Sequence, residues 1–196
     1  AAMIFTCLTA AMAGYALAKK RFTGRAILFS LIVCAMALPK QVILIPLLRE
    51  MSTLRLYGSL WAVIFPTVGW PFGVFLMKQF SEGIPGEILE AARIDGSSEW
   101  HTFTSVVMPM IKPGIGALSI FTFINCWNDY FMQLVMLDAN NVYTISMGIA
   151  TLQAETSNDP GLLMAGAAMA SVPIIIVFLV FQKYFTQGIA MGAVKG

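Results

Sequence analysis

Long apolar runs separated by short polar connectors dominate the chain. A helix needs about 20 predominantly apolar residues to cross hydrocarbon. Five runs approach that length: Ala1 to Leu17, short at its start, then segments near Ile27 to Leu48, Leu56 to Met77, Ile115 to Leu137, and Leu162 to Phe181. This pattern predicts an all-α, multi-pass transmembrane helical bundle. Prolines at Pro39, Pro46, Pro66 and Pro71 interrupt the second and third runs. Each removes a backbone donor and favours a kink. Such kinks fit helices that wrap a pathway and equally fit a static bundle. In the last run small residues recur four apart (Gly161 and Ala165, Gly166 and Ala170, Ala167 and Ser171), a spacing that lets helix backbones approach closely in a membrane.

The connectors orient the runs. Lys19-Lys20-Arg21 followed by Arg25 marks the first connector as cytoplasmic. Alternation then puts Arg49 to Arg55 outside, Lys78 to Lys112 inside, Asp138 to Pro160 outside and the tail from Gln182 inside. Nine of the twelve basic residues fall on the inner side under this assignment, and the Asp138 to Pro160 loop has none.

The inner loop from Ser81 to Pro113 holds Glu82, Glu87, Glu90, Asp95 and Glu99. Pro85 suits a first helical position and Glu87 the positive end of a helix dipole. Ile84, Ile88, Ala91 and Ala92 fall at the spacing of one helix face. Asp95-Gly96 supplies a stop, and Ser97-Ser98-Glu99 a cap for a second helix running towards Pro109. The apolar face of the first helix either packs on the cytoplasmic ends of the bundle or docks on another protein.

Composition narrows the class. Hydrophobic residues make up 58% of the 196 residues and charged residues 11%, against about a quarter in a soluble domain. So few charges cannot cover a water-facing surface, whereas a lipid-facing one needs almost none. The net charge of +2 implies no nucleic-acid partner. Cys7, Cys34 and Cys126 are scattered singly and His101 is the single histidine, so no metal site and no cofactor are expected. The chain begins Ala1-Ala2 within an apolar run, without the basic stretch of a signal peptide, and reads as a fragment missing its N-terminal part. There is no G-x-x-x-x-G-K-[ST] loop to cradle nucleotide phosphates, no G-x-S-x-G and no H-E-x-x-H, so no catalytic residues are expected.

Glu90-Ala91-Ala92, three residues, Gly96, nine residues, then Val106-Val107-Met108-Pro109 resembles the EAA signature of bacterial ABC-importer permeases, E-A-A-x3-G-x9-I-x-L-P, with Val106 and Met108 as apolar departures. The stretch Ile94 to Trp100 is similar to the carbohydrate branch, specifically MalG-like subunits. So are Tyr15-Ala16-Leu17-Ala18 with Phe22 and Gly24, the run Phe121 to Asp129, and the terminal Gly192 to Gly196. The resemblance implies one permease domain over residues 1–196, N-terminally truncated, with five of about six spans present and a cytoplasmic coupling loop over residues 81–109. It implies a bacterial-type cytoplasmic (inner) membrane location. The implied partners are cytoplasmic ATPase subunits, a second related permease, an extracytoplasmic solute-binding protein and membrane lipid. It also implies that Glu90, Ala91, Ala92, Asp95, Gly96 and Pro109 form the ATPase-coupling site, and that the cargo is a sugar or oligosaccharide, with a polyol or glycerol phosphate as the alternative.

Two further groups are candidates. Asn125, Asn128 and Asp129 lie within the fourth run, where ionisable and amide groups face a wet cavity or bond across helices. Lys40, beside Pro39, is placed to snorkel to water. Tyr143, Gln153, Glu155 and Asn158 in the outer loop are candidate contacts for the solute-binding protein. An ion-coupled secondary transporter is the rival class, but Asp129 and Lys40 alone are few charges for ion coupling.

Overall fold

A computed structural model describes residues 1–138, 144–155 and 159–193, with side chains for residues 1–138, 144–154 and 159–184. The described chain is helical, apart from one isolated bridge between Gly58 and Leu137. In chain order the helices are α1 (Ala2–Lys19), α2 (Arg25–Met36), α3 (Lys40–Thr53), α4 (Trp61–Val68), α5 (Pro71–Glu82), α6 (Gly86–Ile94) and α7 (Glu99–Thr102). A π-helical turn, Phe103–Val107, leads into α8 (Met108–Met110). Then follow α9 (Lys112–Asn128), α10 (Tyr130–Met136), α11 (Ile145–Glu155) and α12 (Pro160–Ala193). Three helical segments are long and apolar enough to cross a membrane: Ala2–Lys19, Trp61–Glu82 and Pro160–Tyr184. The number rises to five if two bent pairs, α2 with α3 and Glu99–Met110 with α9, each count as one span.

Several of the expected runs are interrupted, the one near Leu56 to Met77 between α4 and α5 and two others as follows. The run near Ile27 to Leu48 ends as a helix at Met36 and restarts at Lys40, with Pro39 extended at φ −61°, ψ 133° as the N-cap. Proline cannot donate to the preceding turn, and the residue before it is steered away from helical angles. The run near Ile115 to Leu137 breaks at Asp129, whose carboxylate accepts the backbone N–H of Met132 at 3.2 Å. A carboxylate that caps a new helix competes with continuing the old one.

The contacts sort the chain into two compact units. One comprises Ala1–Met3, Leu38–Val68 and Ile120–Val180. Its core includes Leu44, Met51, Ala62, Met132 and Met136, drawn from α3, α4 and α10. Gln133 is buried and its side-chain amide donates to the Cys126 backbone carbonyl at 2.8 Å, while the Thr144 hydroxyl donates to the Gln133 side-chain oxygen Oε1. The Trp127 indole N–H donates to the carbonyl of Ala170 on α12 at 3.0 Å. The small residues expected to bring α12 close to a neighbour are mostly exposed. A Cβ on half-buried Gly166 would meet Ile149 at an ordinary 3.6 Å.

The other unit comprises Ile4–Ala37, Gly69–Ser119 and Phe181–Gly196. Its close approach is at Gly14 on α1, where a Cβ would lie 2.6 Å from the Lys78 nitrogen and from the Met77 carbonyl carbon on α5. Ala10 and Ala11 extend this packed face, both nearly fully buried. The opposite face of α1, with Ile4, Phe5, Leu8 and Met12, is exposed. Exposed apolar side chains on so many helices suit a lipid surround, where only the backbone need be satisfied internally.

Candidate functional site

The loop between α5 and α9 carries the site. Pro85 is the extended N-cap of α6 (φ −60°, ψ 137°), one position earlier than the sequence reading places it, and Glu87 lies in the first turn. The predicted apolar face is revised. Ile84 precedes the helix, so helical periodicity does not link it to Ile88. The buried residues are Ile84 and Leu89, whereas Ile88 and Ala91 are exposed and Ala92 is half-buried.

The helix ends as Asp95-Gly96 predicts. Gly96 has φ +76°, its N–H reaches the Arg93 carbonyl at 3.0 Å, and the Ser97 N–H reaches the Ala92 carbonyl at 3.0 Å. This pair of bonds is the Schellman arrangement, which satisfies orphan carbonyls through one left-handed residue. Nothing lies within 4 Å of a Cβ built on Gly96, so this position faces open space. Ser98 then caps α7, accepting the His101 N–H at 3.2 Å.

Beyond α7 the π-helical turn occupies Phe103–Val107, directly before Pro109. A proline inside a helix leaves a carbonyl one turn back without its donor, and a widened turn is one way to accommodate that. Phe103 and Val107 are buried and fix this part of the loop, while Pro109 is exposed.

What the loop exposes is acidic and apolar together. Glu87, Glu90 and Asp95 are exposed and enter none of the ion pairs among the described residues. Between them Ile94 is 86% exposed and Trp100 61% exposed. A shallow concavity of about 660 Å³ opens at the Gly96 turn, lined by Ala92, Asp95, Gly96, Ser97, Ser98 and His101 among others. The structure thus brings Ala92, Asp95 and Gly96 together at the lining of one concavity, with Glu90 and Ala91 exposed just before them on α6. The sequence reading missed Ile94 and Trp100, although two large apolar residues flanking a Gly turn in a polar loop were the available signal.

The roots of the loop are fastened to α1. Lys19 Nζ donates to the carbonyls of Glu82 at 3.1 Å and Ile84 at 2.6 Å. Lys20 Nζ pairs with Glu99, which Arg93 also approaches at 3.5 Å. The sequence reading took both lysines only as orientation markers, because their partners lie more than sixty residues away.

The second candidate group lies in the other unit. Lys40 Nζ pairs with Asp129 at 3.0 Å and bonds the Asn125 amide oxygen at 3.4 Å. Lys40 is therefore partnered across helices, where the sequence reading lets it snorkel alone; its side chain is 50% exposed and that of Asp129 19%. Asn128 is exposed. Of the outer-loop candidates, Gln153 is exposed on α11, and Glu155 ends that helix with its side chain outside the described set. Tyr143 and Asn158 lie outside the described residues.

The sequence model of the family described as "Binding-protein-dependent transport system inner membrane component" matches residues 9–191. The chain belongs to this family. This inner-membrane component is 37% identical over 194 residues to the arabinooligosaccharides transport system permease protein AraQ of Halalkalibacterium halodurans, covering 99% of this chain and 70% of that protein. It is 36% identical to AraQ of Bacillus subtilis, over 98% of this chain and 69% of that one. The lactose transport system permease protein LacG of Rhizobium radiobacter is 30% identical, with 97% and 69% covered. A solved structure described as a bacterial ABC transporter involved in the import of the acidic polysaccharide alginate superposes with a TM-score of 0.74 at 26% identity. That match covers 93% of this chain and 71% of the matched chain. The family is one of transport components rather than enzymes, and the fold neighbour agrees with the all-helical membrane bundle.

Proposed function

We propose that this inner-membrane component is the permease subunit of an ATP-driven importer for a sugar or oligosaccharide. The whole described chain acts as one permease domain, with residues 81–109 as its coupling loop. On this reading the loop faces the cytoplasm and docks on a separate ATPase subunit. Ala91 and Ala92 allow close approach, Glu90 and Asp95 supply polar anchors, Gly96 makes the turn, and Pro109 marks where the chain turns back towards the bundle. A second, related permease completes the pathway, and an extracytoplasmic solute-binding protein delivers the cargo. The observation that carries this reading is the exposed Glu90 and Asp95, outside every ion pair among the described residues, with the exposed Ile94 beside an open left-handed Gly96 in a membrane bundle. An isolated folding unit has no use for such a surface. The named sugars belong to several relatives, and their recurrence supports the cargo class.

The test is uptake by the complete complex in proteoliposomes. Accumulation of an oligosaccharide should require ATP inside and the binding protein outside, and should survive collapse of the ion gradients. Uptake that follows a proton or sodium gradient without ATP would reject the reading.

Asn125, Asn128 and Asp129 belong to the solute pathway on this proposal, with Lys40 as the partner that holds Asp129. Removing one member of a paired charge leaves the other uncompensated, which costs more than removing both. Asp129→Leu should therefore reduce membrane abundance more than Asp129→Leu combined with Lys40→Met. The pathway role predicts that uptake per molecule stays low in the double variant. Full uptake per molecule there would make the pair purely structural. Gln153 and Glu155 on α11, with Tyr143 and Asn158, are proposed to meet the binding protein. Gln153→Ala combined with Glu155→Ala should leave ATP hydrolysis intact while lowering delivery from it.

A further inference from the structure

We infer that Lys19 and Lys20 are positioning residues for the coupling loop, each clamping one root of the 82–99 segment to the end of α1. The inference rests on the docking role proposed for that loop. The loop has a free tip and two fixed roots. At the tip, Gly96 has open space around it. At the first root, α5 ends at Glu82 with Gly83 as its C-cap. Lys19 fills the position where a helix end offers unsatisfied carbonyls and a partial negative charge, taking the oxygens of Glu82 and Ile84 together. At the second root, Glu99 is the first residue of α7, and Lys20 holds its carboxylate.

Aromatic packing runs beside the charges. Lys20 Nζ stands 5.3 Å above the Tyr15 ring. Buried Tyr15 meets Phe103 at 5.6 Å, and Phe103 meets Trp100 at 5.9 Å. The last residue of α1 and the one that follows it thus reach both ends of the loop, and a third contact continues into its exposed aromatic. Orientation by positive charge alone requires no such geometry; Arg21, in the same basic cluster, forms no ion pair among the described residues. A push on the tip is then carried into α1 instead of being absorbed by bending of the loop.

The experiment uses the full reconstituted complex with Lys19→Met, Lys20→Gln, and the conservative Lys19→Arg and Lys20→Arg. The readouts are ATPase co-purification, ATP hydrolysed per solute imported, and amide exchange over residues 86–102. With the clamps cut, the ATPase should still co-purify. Exchange in the loop should quicken by about tenfold as carbonyl and carboxylate lose their donors, and hydrolysis per solute should rise several-fold. The arginine variants should restore both, and Lys20→Gln with Glu99→Gln should be no worse than Lys20→Gln alone. An unchanged hydrolysis ratio in Lys19→Met and Lys20→Gln overturns the inference, even if exchange quickens, since the lysines would then be structural only. Lys20→Gln keeps the test open if Lys19→Met fails to fold, because exposed ion pairs contribute little to folding. The docking role fails separately: there, a Gly96→Asp complex would retain its ATPase and transport normally.

Discussion

Gly96→Asp should abolish uptake by the assembled transporter while leaving the membrane bundle folded. The position asks for a positive φ, +76°, which Gly adopts freely and Asp tolerates better than most residues. A side chain there meets nothing within 4 Å of its Cβ, so the cost to the fold is confined to the local backbone strain of a non-Gly residue at positive φ, about 1–2 kcal/mol at most. The new carboxylate instead projects into the surface shared by Ala92, Asp95 and Ser97. Burying an unpaired charge in an interface costs about 2–5 kcal/mol, which weakens docking by roughly 30-fold or more. ATPase co-purification and uptake should therefore fall together, while the melting temperature in detergent drops by only a few degrees, the size of the local backbone strain. Gly96→Ala, without the charge, should keep most activity. Ala92→Asp should behave like Gly96→Asp. Normal uptake in both aspartate variants would remove the loop from the coupling path.

Gly14→Ala should do the reverse, damaging the fold without touching the proposed docking surface. The added methyl gains roughly 0.8–1.0 kcal/mol of helix propensity. It would also lie 2.6 Å from two backbone atoms of α5, at Met77 and Lys78, neither of which can swing away as a side chain tip does. Overpacking of this kind costs typically about 1–3 kcal/mol and sometimes more, so the clash outweighs the propensity gain. Gly14→Val should be worse, since its branched Cβ is stiff in a helix. Thermal unfolding in detergent and the yield of folded protein measure the effect. An unchanged melting temperature for Gly14→Val would show that α1 and α5 are not held at this distance.

The two glycines illustrate what each level of description decides. Gly96 was legible because its role is local: a stop after a short amphipathic helix requires only neighbours in sequence, and the Ser97 and Gly96 bonds that close it span a few residues. The same holds for Ser98 as a cap and for the five apolar runs, since length and hydropathy are local sums. Gly14 was not singled out, whereas the conspicuous small-residue series in α12 was. Spacing alone does not say whether a second backbone is present, and in the described structure the backbone lies against α1.

The sequence by itself thus determined the membrane class, the helical content, the family signature and the local chemistry of the Gly96 turn. All are properties of composition and short-range pattern, in which each residue's contribution depends on near neighbours. Tertiary structure alone decided that Lys19 and Lys20 grip the roots of that loop, that Lys40 meets Asp129, and that Ile94 and Trp100 stand exposed while Leu89 is buried. Those facts join residues from about sixty to ninety positions apart, or set one face of a helix against another. No pattern along the chain encodes which partner a charge will find once the helices have packed.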